Sequence, residues 1–175
     1  MGKSLVRMRN AASIVVFSSL APLVGCNGGE AVTDQTLAAA KQHWKRAEIR
    51  NYDLEWMSSG MNQALYRVQV RDDQVERVDQ VLSDGQTVEL HPAQARYFSV
   101  DGLFLTIAED LAQLRTDHPF GMAKGTSAVL RFSPDAQYGF PRAYRRDYAG
   151  SPRPLAIDVI RFEPRASSVP SSHSG

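Results

Sequence analysis

The chain has 175 residues, with 20 Lys+Arg against 19 Asp+Glu and a formal net charge of +1. That balance supplies no basic field for holding nucleic acid, and a single cysteine excludes an internal disulfide framework. The length is that of one ordinary domain with a real hydrophobic core.

Lys3, Arg7 and Arg9 precede any acidic residue, and an apolar run from Ala11 to Leu23 follows. A charged start, a short apolar run and a small residue before a cut site are the parts of a secretory signal. The run is too short to cross a bilayer, which takes roughly 20 apolar residues, and Ser18, Ser19 and Pro22 interrupt it. N-myristoylation is excluded because Val6 stands where that motif needs Ser or Thr.

The run ends in Leu23-Val24-Gly25-Cys26, which contains the one cysteine. This tetrapeptide resembles the lipobox of bacterial lipoproteins. The resemblance implies that residues 1–25 are removed as a signal peptide and that Cys26 carries a diacylglycerol thioether. The alternative is an ordinary signal peptide with a chance cysteine near its end. At about 0.8 kcal/mol per buried methylene, two or three acyl chains hold firmly where one does not, so the membrane is the first expected partner. Asn27, where an Asp would favour inner-membrane retention, leans the expected address to the outer membrane. The expectation is a lipid-anchored protein of the bacterial cell envelope, facing the periplasm. Without Lys3, Arg7 and Arg9 the charge balance turns slightly acidic, and a lipidated Cys26 leaves no free thiol.

Residues 26–32 read as a polar, Gly-rich tether, residues 33–163 as a single domain, and residues 164–175 as a Ser- and Pro-rich disordered tail. A helix is expected from Thr33 or Asp34 to Glu48, with one of the first two as N-cap. Leu37, Ala40, Trp44 and Ala47 give it an apolar face. Asn51 to Met57 alternates, with Tyr52, Leu54 and Trp56 opposite Asp53 and Glu55, as a half-buried strand does. Ser58-Ser59-Gly60 reads as a turn. Strands then follow at Leu65 to Arg71 and, after Asp72-Asp73, at Val75 to Leu82. Such short connections require an antiparallel meander. Ser83-Asp84-Gly85 turns into a brief piece at Val88-Glu89-Leu90, which His91-Pro92 ends.

A second helix is expected from Ser99 to Thr116, with Val100, Leu103, Phe104, Ile107, Leu111 and Leu114 as its apolar stripe. Gly102 costs about 1 kcal/mol relative to Ala but sits in the first turn, where little is lost. Glu109-Asp110 reads as part of the solvated face. Phe120 to Gly125 reads as loop, Ser127 to Phe132 as a strand, and Ser133-Pro134-Asp135 as a turn. Strands at Arg142 to Tyr148 and Leu155 to Phe162 flank a Pro/Gly hairpin. The whole reads as an α+β fold: an antiparallel sheet of about six strands with two helices on one face, ordered helix, three strands, helix, three strands.

Trp44, Tyr52, Leu103-Phe104 and Tyr138-Gly139-Phe140-Pro141, in that order, resemble a family of bacterial secreted proteins and lipoproteins grouped as domain of unknown function 6174. The resemblance spans Ala40–Phe162. It implies a Trp-containing helix before a Tyr-rich strand, a second helix, a strand at a Gly-Tyr/Phe-Pro turn and a final hairpin. Many members carry a cysteine pair after the first strand, where this chain has Trp56-Met57-Ser58-Ser59, so no role of that pair carries over. The resemblance implies no activity, substrate or cofactor.

Catalytic patterns are sparse. His43, His91, His118 and His173 have no metal-ligand spacing. No Gly-x-Ser-x-Gly elbow occurs. In Gly121-Met122-Ala123-Lys124-Gly125-Thr126 the lysine precedes the second glycine and a strand follows, which excludes a phosphate loop. Arg142, Arg145, Arg146 and Arg153 cluster with Tyr144 and Tyr148 around one hairpin. Arg142, Tyr144, Arg145, Arg146 and Tyr148 make a candidate binding face for an anionic partner; a solvated strand face neighboured by Asp147 and Asp158 is the alternative. The expectation is a non-enzymatic binding or structural module with an envelope protein or glycan as partner, and with no metal, cofactor or nucleic acid. The competing reading is a periplasmic hydrolase-type enzyme, or a hydrolase inhibitor, with a site assembled only in three dimensions.

Overall fold

The computed structural model describes residues 29–60, 63–91, 95–125, 127–148 and 154–166. The signal segment, the lipobox with Cys26, residues 149–153 of the last hairpin and the tail beyond 166 lie outside the described residues. In chain order the elements are β1 (Glu30–Ala31), α1 (Asp34–Arg46), β2 (Tyr52–Gly60), β3 (Ala64–Arg71), β4 (Gln74–Val81), β5 (Thr87–Glu89), α2 (Val100–Gln113), a 3-10 turn (Pro119–Gly121), β6 (Ala128–Pro134), β7 (Pro141–Tyr148) and β8 (Leu155–Pro164).

These strands form one antiparallel sheet in the order β1-β6-β7-β8-β2-β3-β4-β5. The α+β class holds, but the sheet has eight strands rather than about six. The element pattern is also corrected. Among the described residues, one strand precedes the first helix, four follow it, and three follow the second. The additions are β1 and β5. Glu30 and Ala31, in the stretch read as tether, pair with Phe132 and Arg131. Ser58-Ser59-Gly60 is strand and not turn, because β8 takes it up at Ile157, Ala156 and Leu155. Ser133-Pro134 likewise belongs to β6.

Local chemistry sets the helix starts. Thr33 caps α1 through a reciprocal pair: its Oγ1 accepts from the Thr36 amide at 3.1 Å, and its own amide donates to Thr36 Oγ1 at 3.0 Å. Ser99 Oγ accepts from the Gly102 amide at 3.1 Å at the head of α2. Leu37, Ala40 and Trp44 are buried from α1, and Val100, Leu103, Phe104, Ile107 and Leu111 from α2. Each large apolar side chain fully buried stabilises by roughly 1.5–3 kcal/mol. That outweighs the helix cost of Gly102 several times over, so burial decides where α2 lies.

Both helices pack on the side of the sheet that carries Tyr52, Leu54 and Trp56. The Trp44 ring meets Tyr52 edge-on at 5.6 Å, and the Tyr52 hydroxyl accepts from the Val100 amide at 3.1 Å. Phe140 and Phe162 extend the same cluster, with centroids 4.6 Å apart. The Tyr138–Pro141 turn reaches it because Asp135 Oδ1 accepts from the Gln137 and Tyr138 amides at 3.0 and 2.8 Å. Gly139, at φ +81°, lies so close to α1 that a Cβ there would stand 2.6 Å from the Cβ of His43.

The opposite side of the sheet is polar. Asp53 accepts from Arg71 at 2.7 Å and Arg165 at 2.6 Å, and Glu163 bridges Arg161 and Arg165 at 2.6 and 3.0 Å. Arg145 belongs to this side and pairs with Asp158 at 2.6 Å. Alternation along each strand therefore separates an aromatic face under the helices from a face of charge pairs.

Candidate binding cleft

A cleft of about 630 Å³ opens between α2, the loop after it and the helix-facing side of the sheet. One wall is aromatic and comes from three separate places in the chain. Trp56 on β2, Tyr66 on β3 and Phe98 before α2 have ring centroids 4.5, 5.7 and 4.8 Å apart pairwise. The Trp56 indole N–H donates to the Phe98 carbonyl at 3.0 Å, which fixes the Phe98 segment against the sheet. Leu103 and Thr106 of α2 form another side, and Leu155 and Ile157 of β8 line it as well.

Another part of the lining is built around a cation. The Arg146 guanidinium lies 4.7 Å from the Phe120 ring centroid and 5.6 Å from that of Tyr148. Those two rings meet edge to face at 5.2 Å. Phe120 reaches this position in a left-handed backbone conformation, φ +56° and ψ +29°, a region that costs a non-glycine residue about 1 kcal/mol or more. The strain sits at the residue that covers the guanidinium.

Behind Arg146 lies Asp110, 7% exposed. Its Oδ1 accepts from Arg146 Nη1 at 2.8 Å, and its Oδ2 accepts from the Tyr144 hydroxyl at 2.6 Å. The expectation of a solvated Glu109-Asp110 face is corrected here: Asp110 turns inward because two donors on β7 meet it. Burial, followed by the neighbouring Asp110 charge, holds the Tyr144 hydroxyl far above the ordinary tyrosine range. Tyr144 therefore stays a neutral donor. Arg146 Nε is buried with no hydrogen-bond partner among the described residues, so the guanidinium keeps unused donor capacity.

The five residues of the candidate arginine–tyrosine face fall on different surfaces. Tyr144 is a core residue, 1% exposed. Arg146 and Tyr148 line the cleft. Arg145 lies on the polar side of the sheet, paired with Asp158. Arg142 is the extra residue of a bulge between β6 and β7, where Ser133 pairs with Ala143 and Pro134 with Pro141, and it borders a smaller groove with Tyr138 and Arg161. Cys26, Leu23, Val24, Gly25 and Arg153 lie outside the described residues.

Two described histidines, His43 and His118, have separate surroundings. His43 packs beside Gly139, while His118 Nδ1 lies 3.1 Å from the Met122 carbonyl oxygen. Among the described residues no cluster of three His, Cys, Asp or Glu could hold a metal ion, and no helix is long and apolar enough to cross a membrane. Trp56, Tyr66, Phe98 and Phe120 were not legible as site residues. Each is an ordinary core aromatic in its local pattern, and only the pairing of β2 with β3 and the placement of α2 bring them together.

Residues 36–117 match the model of a family of unknown function (DUF6174). The chain resembles that family over a stretch running from α1 past the end of α2, which includes Trp44, Tyr52, Leu103 and Phe104. Tyr138–Pro141 and strands β6 to β8 lie beyond the matched residues. No match to the chain was found among curated proteins.

Proposed function

We propose that this chain is a lipid-anchored protein of the bacterial cell envelope, and that its domain is a non-enzymatic module binding a small, largely apolar molecule in the cleft beneath α2. The cleft carries the reading. Its volume of about 630 Å³ falls within the roughly 300–1,000 Å³ of small-molecule sites, and its predominance of aromatic and aliphatic walls with few polar groups is their usual composition. The lipobox at Leu23-Val24-Gly25-Cys26 supports the anchor. Acylation there would hold the domain beside a membrane, where apolar molecules concentrate. The polar groups nearest the cleft support binding over catalysis: the one buried carboxylate among the described residues, Asp110, is engaged by Arg146 and Tyr144 rather than by a nucleophile.

Two measurements test the two halves. Cys26→Ser is expected to abolish acyl labelling and release the protein from membranes; unchanged membrane partition refutes the anchor. The full chain carrying Cys26→Ser, free of acyl chains that would compete for an apolar cleft, is then titrated with N-phenyl-1-naphthylamine, an uncharged apolar fluorophore. Saturable one-site enhancement is expected. Enhancement that stays linear with probe refutes the cleft as a binding site.

A further inference from the structure

We infer that the ligand of this cleft carries one anionic group, a carboxylate or its equivalent, on an apolar body, and that Arg146 receives it. The inference rests on the proposal that the cleft is a ligand site and adds the polarity of what enters. Arg146 is the one residue with a formal charge among the described residues that line the cleft. Its counter-charge, Asp110, is not on the lining; it lies on the far side of the guanidinium, and its two oxygens accept from Arg146 and Tyr144. A molecule in the cleft thus faces the cation and not the carboxylate.

The guanidinium is also held ready. Phe120 and Tyr148 flank it at 4.7 and 5.6 Å, and Asp110 fixes Nη1 at 2.8 Å, so little side-chain freedom remains to be lost on binding. An Arg side chain offers five N–H donors in a planar fork that matches a carboxylate; Arg146 Nε is buried, but the side chain keeps 23% of its surface exposed as part of the cleft lining. A second cation lies outside the lining, against one of its residues. Arg96 lies 4.7 Å over the ring of Tyr97, and Tyr97 lines the cleft. Elsewhere on the lining, half-buried Tyr66 and Phe98, backed by buried Trp56, offer apolar area with no charged group among them. An apolar monoanion suits both ends: its body lies against the three rings and its head meets the fork of Arg146. Surrounded by aromatic rings, that charge-assisted contact is stronger than in water.

The test compares matched acids and alcohols by calorimetry on the full chain carrying Cys26→Ser. The pairs are 2-naphthoate with 2-naphthylmethanol, and decanoate with decanol, each acid fully ionised at neutral pH. The expected result is that the acid of at least one pair binds about ten- to a hundredfold more tightly than its alcohol, the span of a single hydrogen bond to a charged group. Which pair shows the preference tells whether the body is a flat ring or an alkyl chain. Arg146→Gln combined with Asp110→Asn removes both charges together and avoids an unpaired buried carboxylate; it should bind acid and alcohol alike. Arg146→Lys keeps the charge without the fork and should retain a reduced preference, which keeps the test decisive where the double variant does not fold. Equal binding of acid and alcohol by the parent overturns the anionic ligand while leaving the cleft a binding site. A preference that survives in the folded double variant overturns the role of Arg146. Failure of the naphthylamine probe and of both pairs together refutes the cleft itself.

Discussion

Gly102→Ala reverses an ordinary rule. In the interior of a helix, alanine is more favourable than glycine by about 1 kcal/mol; in the first turn, where Gly102 lies, the gain is smaller but of the same sign, so propensity alone makes this substitution in α2 mildly stabilising. The surroundings reverse the sign. A Cβ on Gly102 would lie 2.3 Å from the Arg96 carbonyl oxygen and 2.4 Å from the Tyr97 carbonyl carbon, about 1 Å inside ordinary van der Waals contact. Both are backbone atoms, and no rotamer change moves them. The 96–98 segment must shift, although the Trp56 N–H bond to Phe98 holds it at 3.0 Å. Overpacking a tight site costs about 1–3 kcal/mol, which exceeds the propensity gain. With a first-turn propensity gain of about 0.5 kcal/mol set against it, the expected net loss is about 0.5–2.5 kcal/mol, or roughly 2–9 °C in melting temperature for a domain of this size. Thermal and urea unfolding, each followed by circular dichroism, measure it. An alanine variant as stable as the parent, or more stable, refutes the claim that position 102 needs glycine because the 96–97 backbone packs against it.

Other outcomes follow from the same contacts. Tyr144→Phe deletes the 2.6 Å hydrogen bond to buried Asp110, and a hydrogen bond to a charged group contributes about 1.5–3 kcal/mol; urea unfolding should show a loss in that range, while Tyr148→Phe should change stability by under about 1 kcal/mol. Asp53 titrates below its ordinary value of 3.8: burial acts to raise it, but hydrogen bonds from Arg71 and Arg165, with their charges, more than offset that. A depressed carboxylate contributes stability above pH 3.8 that is lost as pH falls through its lower folded value. Asp53→Asn should therefore destabilise at neutral pH and flatten the loss of stability as pH falls below the ordinary value of 3.8; an acid limb as steep as that of the parent contradicts the sign.

The helices and the strand alternation were legible because each has a local cause. Thr33 and Ser99 are cap residues placed just ahead of apolar stripes, and Tyr52, Leu54 and Trp56 alternate with Asp53 and Glu55 because one side of the sheet is covered and the other is charged. The missed strands have no such local cause. Glu30-Ala31 is too short to carry a period and exists only because β6 pairs with it. Ser58-Ser59-Gly60 has turn composition, yet β8 from the far end of the chain holds it extended. Asp110 was the hardest residue to read. Its place beside Glu109 looks like a solvated helix face, and the donors that draw it inward, Tyr144 and Arg146, lie more than thirty residues away. The cleft was illegible for the same reason. Its aromatic wall joins β2, β3 and the segment before α2, and its cation belongs to β7.

The most direct test of the binding cleft uses the two tryptophans as internal comparators. Both are 6% exposed, but Trp56 lines the cleft, whereas Trp44 packs among Tyr52, Phe140 and Phe162 and borders a separate groove beside Lys41 and Asp101. In proton–nitrogen correlation spectra of the full chain carrying Cys26→Ser, each gives one indole N–H signal. Titration with N-phenyl-1-naphthylamine should move the Trp56 signal saturably and leave that of Trp44 in place. Movement of Trp44 alone, or of neither, would contradict the account.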